Sequence, residues 1–346
     1  MSVPGKTGGV NRRSFLKTMA GAAGALAYPA NAKGSPAVDA PNIVFINVDQ
    51  MSGLDSGGAF GAPYVRTPGI DRLAENGTSF MQSFSADPVC CPARTAWWTG
   101  MFSSEHGVIV NNSPCHQDTP DLSRLLQDAG YNTYYVGKWH VPGKNVRQLF
   151  HVLHGGSWWG DMTDPTVTRS ARAFLRNYND ERPFFLAIGY LNPHDICITP
   201  GLDANRSATE DEKITPPYLE KGILSDDEVP PLPEAHGYDP REPSVLVATT
   251  RGNLETPRFS RWSETMWRMH RYNYHRLVEL VDREIGLLLD ELTRSRWREN
   301  TLIIFTADHG DGLARHMSVG KPRLYEEVVR VPLMVATLGA SLRVRK

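Results

Sequence analysis

Cys90, Pro92 and Arg94 stand at alternate positions in the run Cys90-Cys91-Pro92-Ala93-Arg94-Thr95-Ala96-Trp97-Trp98-Thr99-Gly100. Pro92 at a first turn and Gly100 as a stop predict a helix that opens near Pro92 and carries both tryptophans. A thiol beside a helix N-terminus lies in positive potential, where anions are stabilised. Arg94 adds a planar donor for an oxyanion. The same residues also read as a buried Cys-Cys pair ahead of an ordinary helix, and physical chemistry alone leaves both readings open. Two further pairs carry donor atoms, Asp49-Gln50 and Asp308-His309. Each follows a β-prone apolar run, and ligand sites of open α/β sheets lie beyond the carboxyl ends of strands. Two carboxylates, an amide oxygen and an imidazole would suit a hard or borderline divalent cation.

The elements that must position these residues follow from pattern. Asn42 to Val48 and Thr301 to Ala307 read as buried strands. Thr133 to His140 and Phe184 to Tyr190 read as two more. Thr67-Pro68 opens a helix holding Ile70, Leu73 and Ala74. Leu122 to Ala129 is helical up to Gly130. Met269 to Leu292 is a long amphipathic helix with Leu277, Leu280, Val281, Ile285 and Leu288 on one side. Strands alternate with helices, so the class is α/β with a mainly parallel sheet. Residues 197–260 are polar and Pro-rich, with two acidic clusters, and read as a long surface insertion.

A chain of 346 residues has room for one large domain or two ordinary ones. The formal net charge of -1 gives no expectation of nucleic-acid binding. The four cysteines form neither a small secreted disulfide framework nor a C-x-x-C metal pair. At the N-terminus, Arg12-Arg13, the Ala/Gly-rich stretch Thr18 to Ala27 and Ala30-Asn31-Ala32 stand in the order of an export signal. The expectation is a twin-arginine signal peptide over residues 1–32, read by the twin-arginine machinery. A periplasmic or secreted location follows. The stretch is too short and too rich in Ala and Gly for a stable membrane span.

Cys90-x-Pro92-x-Arg94 followed by Thr99-Gly100 resembles the sulfatase signature. The other blocks of that family stand in its order. These are Pro41-Asn42-Ile43-Val44, Thr67-Pro68-x-Ile70-Asp71-Arg72-Leu73-Ala74, Gly137-Lys138-Trp139-His140, Asn192-Pro193-His194, Thr306-Ala307-Asp308-His309-Gly310 and Lys321-x-x-Leu324-Tyr325-Glu326. Ala93 replaces the commoner Ser and Trp98 the commoner Leu or Met, and neither touches the Cys-x-Pro-x-Arg core. The resemblance implies an alkaline phosphatase-like α/β fold, with residues 41–346 as the catalytic domain. It also implies that the family's C-terminal antiparallel subdomain is largely missing beyond the Arg330-Val331-Pro332 block.

The resemblance implies roles as well. A formylglycine-generating enzyme would convert Cys90 to formylglycine. Asp49, Gln50, Asp308 and His309 would hold Ca²⁺, with Mg²⁺ as the alternative; Gln50 stands where many members have Asp. Arg94 would steady the formylglycine hydrate. Lys138 would bind sulfate oxygens, and His140, two residues on along an expected strand and so on the same face, would take the proton that collapses the intermediate. His194 and Lys321 would bind sulfate and help protonate the leaving oxygen. Asp71 and His316 lie in family-like blocks without an assigned role. The implied activity is hydrolysis of a sulfate ester, with carbohydrate sulfate as the expected substrate class. Two other readings stand beside it: a phosphonate monoester or phosphodiester hydrolase of the same superfamily, and a non-catalytic relative that binds a sulfated ligand.

Overall fold

The computed structural model describes residues 40–116, 118–156, 159–197, 229–237, 241–243, 262–321 and 323–339. The expected signal peptide and most of the expected insertion lie outside the described residues. Strand β1 is Asn42–Asp49, followed by helix α1, Pro68–Glu75, and a short strand β2, Gly77–Ser79. Helix α2 is Cys90–Thr99, α3 is Leu122–Asp128 and β3 is Asn132–Gly137. Strand β4, His151–Gly155, leads into helix α4, Gly160–Asn177, and then β5, Phe184–Pro193. The long helix α5, Glu264–Arg294, precedes β6, Thr301–Ala307, a short helix α6, Glu326–Val329, and β7, Leu333–Thr337.

Among the described residues, seven strands form one sheet in the order β2-β7-β6-β1-β5-β3-β4. From β6 to β4 every pairing is parallel, while β7 runs antiparallel to β6 and β2 antiparallel to β7. This is the expected α/β class with a mainly parallel sheet. Strand β1 lies between β5 and β6, with Val48 opposite Ala307. That register brings Asp49-Gln50 and Asp308-His309 to the same edge of adjacent strands.

The two sheet faces differ. Val44, Ile46 and Val48 of β1, Ile303 and Phe305 of β6, and Met334 and Ala336 of β7 are buried in one cluster with residues of α1, α4 and α5. Helix α5 supplies Leu277, Val278, Val281, Ile285, Leu288 and Leu289 to that core, following its 3.6-residue period. On the opposite face, Trp98 of α2 anchors the helix, with its ring 5.4 Å from both Trp139 and Phe150 and 5.8 Å from Phe45. Further along that face, Leu302, Ile304, Leu333 and Val335 are only half-buried. A cleft of roughly 400 Å³ opens there, lined among others by Phe45, Phe84, Trp97, Phe102, Ile304 and Leu333.

Two boundaries that bear on the site differ from the sequence reading. Helix α2 begins at Cys90 rather than near Pro92. Cys90 and Cys91 thus sit inside its first turn, where the Cys91 N–H donates to Asn111 Oδ1 at 2.9 Å. The expected strand Thr133 to His140 ends at Gly137, where φ is +100°. A Cβ at that position would lie 2.0 Å from the Gly189 carbonyl oxygen, so the close approach requires glycine. Lys138 and His140 therefore leave the sheet, with His140 at φ +51°, and do not share a strand face. Helix α4 and strands β4 and β7 were not read from the sequence. The apolar residues of α4 are interrupted by Asp164 and Pro165, and β4 and β7 are only five residues each.

Candidate active site

At the end of β1 the alternation of the strand turns Asn47 and Asp49 to the same face. Both meet the buried guanidinium of Arg94, which α2 delivers one turn after Cys90. Arg94 Nη2 donates to Asp49 Oδ2 at 3.1 Å and Nε to Asp308 Oδ2 at 2.8 Å. Its Nη1 donates to Asn47 Oδ1 at 3.2 Å and to the Lys138 carbonyl at 3.1 Å. One cation thus ties together the ends of β1 and β6 and the turn after β3. Burial of such charges is tolerable because each is paired and hydrogen-bonded.

Cys90 faces the same carboxylates. Its Sγ lies 3.7 Å from Asp49 Oδ1, 3.3 Å from His309 Nε2 and 3.1 Å from Lys321 Nζ. His140 and His194 also hydrogen-bond to the Cys90 side chain. Burial and Asp49 push the thiol's pKa up, but His309, Lys321 and the His140 bond outweigh them and hold it well below its ordinary value. Burial likewise pushes Asp49 up, and Lys138, His194, Arg94 and Lys321 overcome it, holding this carboxyl well below the usual range. The Cys90 and Cys91 bonds raise His140 to about 9. Burial is the largest influence on His194 and leaves it lowered.

Asp49, Cys90, Asp308 and His309 are buried and place one potential ligand atom each within 4.8 Å of one another. His309 Nδ1 is 2.9 Å from the Gly310 carbonyl, to which it donates, so Nε2 is the ring nitrogen that would face a bound cation. Two carboxylates and an imidazole so disposed fit a divalent cation of the hard or borderline kind. Gln50 stands at the rim of this set. It has φ +69°, its N–H donates to Asp308 Oδ1 at 3.0 Å, and its carbonyl accepts from Tyr274 Oη of α5 at 2.9 Å. Its side-chain Oε1 accepts from Lys321 Nζ at 2.9 Å. Lys138 Nζ makes a short ion pair with Asp49 Oδ2.

Every candidate site residue from the sequence therefore meets in one place: Asp49, Gln50, Cys90, Arg94, Lys138, His140, His194, Asp308, His309 and Lys321. Asp71 instead sits away from them, where its Oδ1 accepts from Ala59 N and Thr67 Oγ1. His316 stacks on Tyr325, with ring centroids 4.1 Å apart. Two participants escaped the sequence reading, Asn47 and Asp311. Each left a signal: Asn47 is a polar residue inside an apolar strand, and Asp311 is a third charged residue directly after Asp308-His309-Gly310.

Residues 41–343 match the family model for sulfatases, and the chain belongs to that family. It is 28% identical over 349 residues to a choline-sulfatase of Rhizobium meliloti, covering 87% of this chain and 63% of that protein. It is 25% identical to an N-acetylglucosamine-6-O-sulfatase of Bacteroides thetaiotaomicron, covering 85% of this chain and 62% of that protein. The chain thus spans less than two thirds of the length of these relatives. Among solved structures, it superposes on a 2-O GAG sulfatase with a TM-score of 0.72 at 22% identity, covering 88% of this chain and 65% of the other. The phosphonate monoester hydrolase of Agrobacterium radiobacter gives 0.68 at 21%, covering 85% and 68%. These likenesses establish the fold. Among the described residues, no helix is long and apolar enough to cross a membrane.

Proposed function

We propose that this chain hydrolyses sulfate esters at residue 90, within an enzyme exported through the twin-arginine route, and that carbohydrate sulfates are its substrate class. The observation that carries the reading is the position of Cys90. It lies in the first turn of α2, within 3.7 Å of Asp49 and 3.3 Å of His309, with Lys321 against its sulfur. The family's sulfate-ester relatives support the chemistry, and the N-acetylglucosamine-6-O-sulfatase among them supports the substrate class.

An aldehyde at residue 90, made from the thiol by a formylglycine-generating enzyme and hydrated to a geminal diol, would supply the attacking oxygen and a second hydroxyl that lets sulfate depart. A divalent cation, Ca²⁺ or Mg²⁺, held by Asp49, Gln50, Asp308 and His309 would draw charge from the reacting oxygens. The chain's own residues do the rest. Arg94 holds Asp49 and Asp308 in register, so both carboxylates present fixed oxygens to the cation and to residue 90. Lys321, against the residue 90 side chain, and Lys138, paired with Asp49, bind the sulfate oxygens as fixed cations that need no reorganisation as charge moves. The rise of His140 owes most to its bond with the Cys90 thiol, an influence lost once residue 90 is the hydrate, and His140 would then take the proton from the second hydroxyl. His194 and Lys321 bind the sulfate and help protonate the leaving oxygen.

The fold is shared with a phosphonate monoester hydrolase, so the test compares both esters on one sample. The full chain is co-expressed with a formylglycine-generating enzyme and assayed on 4-nitrophenyl sulfate and 4-nitrophenyl phenylphosphonate. The proposal expects the sulfate to be the faster substrate and Cys90→Ala to lose at least about 10³-fold in kcat. A faster phosphonate reaction would favour the other hydrolase class. No turnover of any sulfate ester, with sulfated-sugar binding retained, would favour a binding protein.

A further inference from the structure

Gln50 has a carboxamide whose two ends differ only in whether they donate or accept, and its surroundings decide which end faces where. On one side lies Asp311 Oδ2, 2.7 Å from Gln50 Nε2. On the other lies Lys321 Nζ, 2.9 Å from Gln50 Oε1 and 3.1 Å from Cys90 Sγ. An ionised carboxylate accepts only, and an ammonium donates only. Both neighbours therefore select the same orientation, with the amide nitrogen towards Asp311 and the carbonyl oxygen towards Lys321 and residue 90. Cys197 Sγ, 3.5 Å from both ends of the amide, gives no preference of its own.

Asp311 is itself tightly held. It is buried, and its Oδ2 also accepts from Gly320 N at 3.0 Å while Oδ1 accepts from Leu313 N at 2.9 Å. His270 Nε2 of α5 stands 3.7 Å from Oδ1. The carboxylate is thus fixed from the loop 311–320 and from α5 before it meets Gln50.

We propose that Asp311 is the positioning residue for Gln50: it locks the side-chain amide so that the carbonyl oxygen, and not the nitrogen, lies on the side of Lys321 and residue 90, where it is available to a cation bound at the pocket. Asp311 acts through Gln50 and touches neither Cys90 nor the three clustered ligands. The lock makes a neutral glutamine a usable oxygen donor, since a flipped amide would aim two hydrogens at the cation. This inference rests on the reading that the pocket binds a divalent cation. A plain structural role is also available to Asp311, because it pins Leu313 and Gly320, so the test must separate the two.

The experiment measures Ca²⁺ affinity by calorimetric titration of the full chain after removal of metal with chelator, with circular dichroism to verify folding. Asp311→Asn has one acceptor oxygen for two sets of donors, and is expected to weaken Ca²⁺ binding by about 10–100-fold, as for other outer partners of metal ligands. The reversed pair Gln50→Glu with Asp311→Asn restores a donor opposite an acceptor, and is expected to return affinity to within about threefold of the original chain. Gln50→Glu alone sets its carboxylate against that of Asp311 and is expected to bind Ca²⁺ no more tightly than the original despite its added charge. That variant keeps the judgement open if Asp311→Asn does not fold. Unchanged affinity in Asp311→Asn, no recovery in the reversed pair, or tighter binding by Gln50→Glu alone would each overturn the proposal. An original chain that binds neither Ca²⁺ nor Mg²⁺ would overturn the cation reading and this inference together. Normal binding that ignores residue 311 would overturn the inference alone.

Discussion

Arg94 shows why a signature residue can be legible while its contacts are not. Its spacing from Cys90 marks it for the site, but only the structure shows its guanidinium shared among Asp49, Asp308, Asn47 and the Lys138 carbonyl. Those partners come from positions 44 to 214 residues away, and no local pattern encodes such distances. The fork geometry makes a specific prediction. Lysine keeps the charge but offers one ammonium where three guanidinium nitrogens now reach four acceptors. Arg94→Lys is expected to leave buried acceptor oxygens of this cluster without a donor, although Lys138 still pairs with Asp49, and to lower stability by about 1–3 kcal/mol. Chemical denaturation followed by circular dichroism would check it; a variant within about 0.5 kcal/mol of the original would contradict the bridging role.

The strand ends were the most legible elements. Asn42 to Val48 and Thr301 to Ala307 are continuous apolar runs that read as strands, although Leu302 and Ile304 prove only half-buried, and their pairing sets the donor residues side by side. The turn after β3 was not legible. The fold turns at Gly137 because of its approach to Gly189, a contact between residues 52 positions apart that no run of apolar residues announces. Helix α4 was hidden by Asp164 and Pro165, yet its start is secured from the next strand. Asp195 Oδ2 accepts from Gly160 N at 2.8 Å and from Asp161 N at 3.3 Å, while its Oδ1 has no partner. Burial raises this carboxyl to about 7, against the opposing pull of the two N–H groups. A folded pKa above the unfolded value of an acid means that the native state binds more protons between pH 4 and 7, so the original chain loses stability as pH rises through that window. Asp195→Asn keeps an acceptor for the helix and has no charge to bury. The melting temperature of the variant relative to the original is therefore expected to rise from pH 5 to pH 8, by an amount equivalent to ~1 kcal/mol or more. A constant difference across that range would show that Asp195 is not the titrating group.

At the scale of the whole molecule, the chain's sheet is unevenly covered. One face is sealed by α1, α4 and α5, while the half-buried Leu302, Ile304, Leu333 and Val335 line the other beside exposed Phe84 and Phe102. An apolar area of this kind marks a surface that binds hydrophobic probes. The folded chain is expected to enhance the fluorescence of an anilinonaphthalene dye, and Phe84→Ser with Phe102→Ser is expected to reduce that signal by about half without changing the melting temperature by more than a few degrees. An equal signal in both proteins would place the dye elsewhere. This surface runs along α2 from Ala93 to Gly100 and borders the site, since Ala307 and Ser85 line it beside Asp308.

The central claim is that residue 90 works as an aldehyde hydrate among Asp49, His309, Lys321 and His140. The most direct test is mass spectrometry of the peptide containing residue 90, purified from cells that also make a formylglycine-generating enzyme, with a hydrazide reagent to capture aldehyde. The account predicts a peptide that has lost the thiol and gained a hydrazide-reactive carbonyl, in step with sulfate-ester turnover. A peptide that keeps its thiol throughout, in a sample that still releases sulfate, would contradict it.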